Sequence, residues 1–499
     1  MLHFLKKTFQ KFPFHLLLLP AFFICSKYVQ YQGLLEINAV WKGALIIFAV
    51  LAGFFLINYL LLKDFNKSAI ASSCLGFIFL FFGDLREFLQ ESRGHFLSLY
   101  KIFLPILAIL FLALFITLKK TSHLYKTNLF LNLLLVIFII TEIAKMVQLN
   151  RSNHSGFAGK ILTVPVPNSL KKKLPDIYYI VPDCYPSSSY QAEMLNTSND
   201  YFDSALKEKG FRVLPESRSN YNRTAFSMSA TFSMLYPSWV TDQNLPVAAD
   251  YNRAINNVKF SQLFDFFQKN GYNTVNLSIF DLGENPALRK EKFLSATSSE
   301  MIFRFTFWNY FSRDILFSWV IDKKKYKAKQ QQLHFKPLKK YSQQVVDSLI
   351  KGTIKNSSHP QFIYAHLSFP HFPYFYDSSG RAYNDNLLYN DSIITDRKKF
   401  TGYIKYSNNQ LLQIVSSILT KTNGNAVILM QSDHGLSDLD VSRKNDAFRN
   451  YTAFYFPDKD YSMVYDSMSN VNTFRIVLNK YFGQHLQVLA DSSIYVGIH

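Results

Sequence analysis

Five apolar runs crowd the first 150 residues, and nothing comparable follows them. They lie near Phe14–Val29, Ala44–Leu62, Ala69–Phe82, Ile102–Leu118 and Leu129–Ile143. Helices that are apolar all round need lipid or protein on every side, so this part cannot fold as a water-exposed globule. The second and fourth runs approach the length that crosses about 30 Å of hydrocarbon as a helix. The first contains Pro20, and the third is short and holds Ser72 and Ser73. The first run reads as a span; a cleaved signal peptide is the alternative, though no clear small-residue cleavage site follows Cys25.

The loops orient the spans. Lys6, Lys7 and Lys11 precede the first, Lys63 and Lys67 separate the second and third, and Lys119, Lys120 and Lys126 separate the fourth and fifth. The Gln32–Ala39 loop has no Lys or Arg, and the loop between the third and fourth spans balances Arg86 and Arg93 against Asp84, Glu87 and Glu91. The positive-inside rule puts the N-terminus in the cytoplasm. Five spans then leave everything after Asn150 on the extracytoplasmic side. Glu142 and Lys145 read as an interfacial pair one helical turn apart. The expected division is a five-span transmembrane domain (1–150), a Ser-, Asn-, Gly- and Pro-rich linker (151–174) closed by Lys171–Lys173, and an extracytoplasmic catalytic domain (175–499).

Residues 151–499 carry 40 Lys and Arg against 29 Asp and Glu. A basic part beside a membrane suits anionic lipid surfaces or phosphorylated substrates; nucleic acid is not expected as a partner. Cys184 is the single cysteine of this part, so no disulfide framework is available.

Strand and helix patterns alternate in the outer part. Strands are expected at Ile177–Val181, Thr274–Phe280, Gln361–Ser368, Ala426–Gln431 and Thr452–Phe456. Helices are expected at Asp200–Lys209, Thr224–Met234, Phe260–Lys269, Ser342–Lys351 and Lys398–Thr420. This alternation predicts an α/β domain with a mainly parallel sheet covered on both faces. The basic stretch Lys323–Lys339 reads as an exposed insertion.

Two of these strands run straight into charged residues. Val427-Ile428-Leu429-Met430-Gln431 ends in Ser432-Asp433-His434-Gly435, and Ile177-Tyr178-Tyr179-Ile180-Val181-Pro182 ends in Asp183. Open α/β sheets bind ligands at this carboxyl edge, and Asp and His suit a zinc-like cation. The polar segment Ser217–Arg223 leads into a helix opening at Thr224. A hydroxyl there feels the helix dipole, and coordination would make it a nucleophile at neutral pH. A plain helix cap is the alternative reading. His366 and His371 follow the middle strand and suit proton transfer or phosphoryl binding. Cys184-Tyr185-Pro186-Ser187-Ser188 approaches the signature whose Cys becomes formylglycine in true sulfatases. Its last residue is Ser rather than Arg, and it follows Asp183 directly, so it is not read as the nucleophile.

Together the motifs resemble the sulfatase-like branch of the alkaline phosphatase superfamily over about residues 174–460. The plan is similar to lipoteichoic acid synthases and lipid A phosphoethanolamine transferases. The motifs are Tyr178–Asp183, Asn220-Tyr221-Asn222-Arg223-Thr224, His366-Leu367-Ser368-Phe369-Pro370-His371 and Ser432–Gly435. The resemblance implies an alkaline phosphatase-like fold and one zinc or manganese ion held by Asp183, Thr224, Asp433 and His434. It makes Thr224 the nucleophile and His371, with His366 second, the assisting histidine. Asn220 and Arg443, with Lys444 or Arg449 as alternates, are the expected substrate contacts. Two departures stand out: Cys184 replaces the Gly of many relatives, and Leu436–Asn450 lacks the second His of the phosphoethanolamine enzymes. The implied activity is transfer of a phospho-headgroup from an anionic phospholipid donor to a surface lipid or glycan. The alternatives are a phospho- or sulfo-ester hydrolase, or a non-catalytic membrane protein of the same fold.

Overall fold

The computed structural model describes residues 2–31, 35–91, 95–155, 162, 166, 174–237, 239–240, 248–291, 298–316, 323–351, 357–384, 396–436 and 444–497. They form two compact units, one of residues 1–155 with 294–323 and one of 156–293 with 324–499. Lys171–Lys173 lie outside the described residues.

The first unit is helical. Among the described residues three helices are long and apolar enough to cross a membrane: Ile37–Leu62, Tyr100–Lys120 and Tyr125–Gln148. A fourth span is possible only as a broken one, because Phe65–Leu80 and Phe82–Gln90 bend by 58°. The remaining expected span is the apolar helix His15–Gln30, which has 16 residues and falls short of the crossing length. Thus all five expected runs are helical, while three or four of them meet the length of a span. The last helix continues to Ser155, into the expected linker. Lys145 and Glu142 pair at 2.8 Å.

Residues 298–316 come from the expected catalytic part yet pack in this helical unit. They dock at one end of the bundle, where His15–Gln30 and Phe65–Leu80 finish and Ile37–Leu62 and Tyr100–Lys120 begin. The Gly83 amide donates to the Phe305 carbonyl at 2.7 Å, and the Glu36 amide donates to Ser298 Oγ at 3.1 Å. Phe307 meets Phe82 edge-on at 5.1 Å, the Lys27 ammonium sits 4.7 Å over the Phe305 ring, and the Tyr100 hydroxyl donates to Asp314. Composition hides this attachment, because its partners lie two hundred residues away in sequence.

The second unit is built on one six-stranded sheet: β1 (Asp176–Asp183), β2 (Arg212–Leu214), β3 (Asn273–Leu277), β4 (Gln361–Pro370), β5 (Ala426–Gln431) and β6 (Thr452–Tyr455). The spatial order is β2-β6-β5-β1-β4-β3. Strands β5, β1, β4 and β3 are mutually parallel, and β6 runs against β5. The sheet is therefore mainly parallel, as expected. The five expected strands all form; β2 is three residues long at an antiparallel edge, too short to show a period.

Central position explains the apolar runs. β4 and β5 are buried at every residue, and β1 at all but its two ends. The helix Thr224–Ser233 covers one face, where Phe232 meets Tyr179 and Tyr364 edge-on at 5.7 and 4.9 Å. The basic stretch lies in a helix from Lys323 to Ile350, with Lys336 and Lys340 exposed.

The docked segment offers a direct test. A Cβ on Gly83 would lie 2.5 Å from the Tyr310 ring and 2.9 Å from the Phe305 backbone. Gly83→Val should therefore cost about 1–3 kcal/mol locally. Hydrogen exchange should rise roughly ten- to hundredfold across residues 298–316 and stay unchanged in β1 and β5. Unchanged protection of 298–316 would remove the proposed attachment.

Candidate active site

Register brings the key carboxylates together. β1 and β5 are parallel neighbours with Ile180 opposite Met430. Three residues further along each strand stand Asp183 and Asp433. On the other side of β1, β4 places Val181 opposite His366 and, after an irregularity, Asp183 opposite Pro370. His371 thus follows directly at the level of Asp183, whereas His366 lies behind it within the sheet.

Ligand atoms of Asp183, Asp433 and His434 all lie within 4.8 Å of one another. Thr224, the first residue of its helix, sets its Oγ1 3.4 Å from His434 Nε2. The helix is tied to the sheet edge by Ser227, whose hydroxyl donates to the Asp433 carbonyl. Thr224 is partly exposed, while Asp433 and His434 are buried.

The hydrogen bonds decide which atoms face the cluster. The Asp433 Oδ1 atom accepts from the amides of Cys184 (3.0 Å) and His434 (2.9 Å). Its Oδ2 is buried without a hydrogen-bond partner, as is Asp183 Oδ1. His434 Nδ1 lies 2.7 Å from the Gly435 carbonyl, which can only accept, so Nδ1 carries the proton. In the neutral ring Nε2 then presents a lone pair, 3.4 Å from Asp433 Oδ2. Three electron-rich atoms converge, and among the described residues the hydrogen-bond donor beside them is the Thr224 hydroxyl, 3.4 Å from His434 Nε2. That donor set fits a divalent cation, which would replace the missing hydrogen bonds.

The electrostatics agree. Burial, and then the charge of Asp433, push the Asp183 carboxyl well above the usual carboxylate range. Burial opposes ionisation of Asp433 most strongly, but the neighbouring His434 and His366 together with hydrogen bonds from the Cys184 amide and the Thr224 hydroxyl outweigh it and hold that carboxyl below its usual value. Two buried carboxylates side by side ionise together only when a cation offsets them.

The other expected residues divide. His371 is partly buried, Nδ1 donates to the Phe372 carbonyl at 2.6 Å, and its charge acts on Asp183. His366 is fully buried and pairs Nδ1 with the Tyr364 hydroxyl at 2.8 Å. Burial lowers its pKa to about 4, so it is neutral and shielded rather than poised for proton transfer. Asn220, expected to touch substrate, is also fully buried. Its amide donates to the Tyr236 hydroxyl and the Ser492 carbonyl, both at 2.9 Å, and its oxygen accepts from the Val471 amide at 2.7 Å. Asn220 thus positions the loop before Thr224. Arg443 lies outside the described residues. Arg449 is bound to Glu193 at 2.8 Å and Lys444 sits over the Tyr495 ring at 4.8 Å.

Two features escaped the sequence reading. Residues 492–496 strap the loop before Thr224: Ile494 donates to the Asn220 carbonyl at 2.8 Å, and Asn222 exchanges two hydrogen bonds with Val496. Arg223, next to Thr224, has a buried Nε with no hydrogen-bond partner. The repeated Asn and the neighbouring cation were visible in sequence, but their partners were not. Cys184 also finds its explanation. It takes a left-handed φ of 60°, where Gly is favoured, and its thiol donates to the Gly435 carbonyl at 3.4 Å. The turn aims its amide at Asp433.

The family model for sulfatases matches residues 187–474. No curated protein gives a significant sequence match. Solved structures similar to the chain include the integral-membrane lipooligosaccharide phosphoethanolamine transferase A of Neisseria meningitidis (12% identity, 93% of this chain and 95% of that one, TM-score 0.37). Another is the C-terminal periplasmic domain of a phosphoethanolamine transferase from Campylobacter jejuni (14%, 64% and 92%, TM-score 0.36). A third is a protein of glycosaminoglycan metabolism from Bacteroides thetaiotaomicron (15%, 62% and 72%, TM-score 0.38).

The raised Asp183 carboxyl sets the sign of a pH effect. In the metal-free protein its stabilising contribution is present at acid pH and is lost as pH rises through the raised pKa. A bound cation reverses this, because it needs the ionised form. The rise in Tm caused by added zinc or manganese should thus be larger at about pH 8 than at about pH 5. A shift that is larger in acid, or absent at both values, would contradict the ligand set.

Proposed function

The chain belongs to the sulfatase family, and from that premise we propose a membrane-anchored, metal-dependent transferase that works through a covalent intermediate on Thr224. It moves a phospho-headgroup from an anionic phospholipid donor to a surface lipid or glycan. The observation that carries this reading is the Thr224 hydroxyl at the start of a helix, 3.4 Å from His434 Nε2 and beside Asp183 and Asp433, each of which has one buried oxygen without a hydrogen-bond partner.

One divalent ion, zinc or manganese, held by Asp183, Thr224, Asp433 and His434, would lower the hydroxyl pKa and offset negative charge at that edge. With Thr224 ionised, Oγ1 forms a bond to phosphorus as the bond to the lipid oxygen breaks. That oxygen takes a proton from the His371 imidazolium. The acceptor hydroxyl then attacks phosphorus, gives its proton to neutral His371, and the Oγ1–phosphorus bond breaks. Thr224 and His371 return to their starting forms, so atoms and protons balance over the cycle. The free amides of the helix start and the Arg223 side chain supply positive potential beside Thr224.

The same reading puts the active site outside the cytoplasm. Residues 298–316, on the chain between two parts of the α/β unit, dock at the bundle end that carries Glu36, Gly83 and Tyr100. Lys11, Lys63, Lys67, Lys119 and Lys120 belong to the opposite helix ends. The positive-inside rule assigns those ends to the cytoplasm. Anchoring also confines enzyme, lipid donor and surface acceptor to one plane, which raises their effective concentration. A second reading, hydrolysis of a phosphate or sulfate ester with water as acceptor, is favoured by family membership.

Intact-mass measurement after incubation with phospholipid donors tests the proposal. A headgroup adduct should map to Thr224, persist in water and vanish when a glycan or lipid acceptor is added. Thr224→Ala should abolish the adduct and lower turnover roughly a thousandfold or more. Fast release of free headgroup phosphate with no acceptor dependence would replace transfer by hydrolysis. Turnover undiminished in Thr224→Ala would refute the nucleophile.

A further inference from the structure

The helix Lys323–Ile350 carries a cationic groove that the transfer chemistry does not use. Lys336, Lys339, Lys340, Gln343, Gln344 and Tyr376 line an open cavity of about 440 Å³. Positions 336, 339, 340 and 343 follow helical spacing of three and four, so these side chains share one face. Three like charges at that spacing repel one another. Among the described residues the nearby carboxylates have partners of their own. Asp347 pairs with Lys351 at 3.0 Å and accepts from Gln343 at 3.1 Å, and Asp377 accepts from the Ser379 and Arg381 amides. The opposite wall is aromatic, with Lys339 Nζ 5.0 Å from the centre of the Tyr376 ring.

The groove is attached to the catalytic edge at two points. Phe335, one residue before Lys336, meets Phe372 edge-on at 5.5 Å, and Phe372 is the residue whose carbonyl holds His371. Tyr341, one residue after Lys340, donates its hydroxyl to the His366 carbonyl. The lysines thus lie between two anchors to the strand and loop that carry both histidines.

We infer that Lys336, Lys339 and Lys340 form a binding site for a phosphate group, seated against Tyr376 and separate from the Asp183–Asp433–His434 cluster. A dianionic phosphate accepts several charge-assisted hydrogen bonds at once, relieves the repulsion among the lysines, and fits a shallow cavity of this size. The same chemistry is offered by a phosphorylated sugar and by an anionic lipid headgroup. The site needs neither the metal nor the Thr224 hydroxyl.

The full-length Thr224→Ala protein, in nanodiscs of phosphatidylcholine, separates this site from catalysis. One arm measures binding of glucose 6-phosphate by equilibrium dialysis at low salt. The other measures retention of phosphatidylglycerol over phosphatidylcholine by native mass spectrometry. The triple variant Lys336→Gln, Lys339→Gln and Lys340→Gln should weaken at least one arm by about tenfold or more. Arg at the same three positions should retain binding, and metal content should stay at the parent level, which excludes a folding defect. Loss in the first arm assigns a phosphorylated glycan, and loss in the second a lipid headgroup. Equal binding by the parent and the Gln variant in both arms, or no saturable binding by the parent in either, overturns the site.

Discussion

Buried oxygens without donors govern this molecule. Asp183 Oδ1 and Asp433 Oδ2 sit in the protein interior with no hydrogen bond, facing the lone pair that His434 Nε2 presents in the neutral ring. An unpaired buried carboxylate is among the most costly features a fold can hold. The arrangement makes physical sense around a cation, and each neighbouring element is arranged to keep it in place. Cys184 bends left-handed to give Asp433 an amide. Ser432 holds its loop by accepting from Tyr185 at 2.9 Å and donating to the His434 carbonyl at 2.7 Å. Asn450 donates to the Ser432 carbonyl at 2.6 Å.

The nucleophile side depends on the same edge. The helix that starts at Thr224 is fixed by Ser227 to Asp433, and its approach loop is fixed by Asn220 and Asn222 to residues 492–496. The family model stops at residue 474, so this strap lies beyond the matched region. Phe232 then seats the helix on the two tyrosines of the sheet, which sets how far Thr224 can stand from the carboxylates. Reactivity at Thr224 is thus a property of packing as much as of the residues that would touch the metal.

Much of this was legible in the chain because the decisive strands are central. β1 and β5 are buried on both faces, so each reads as an apolar run, and the run ends where the ligands begin. Parallel pairing then does the rest, since equal offsets from Ile180 and Met430 reach Asp183 and Asp433. What stayed hidden is what depends on distant partners. Asn220 looks like a surface turn residue until Tyr236, Val471 and Ser492 surround it. Resemblance alone ranks His371 ahead of His366, and the register supplies the physical difference, with one inside the sheet and the other at its edge. Residues 298–316 carry an ordinary mixture of aromatic and charged side chains, and only the bundle end they cover explains them.

The central claim is that Asp183, Asp433 and His434 form the seat of one divalent ion. Metal analysis of the purified full-length protein, beside Asp433→Asn and Thr224→Ser, tests it most directly. The account predicts about one zinc or manganese per chain in the parent and in Thr224→Ser, and its loss in Asp433→Asn, which keeps the shape but removes the charge. A parent protein that holds no metal after purification and reloading, or an Asp433→Asn variant that holds it equally well, would contradict the account.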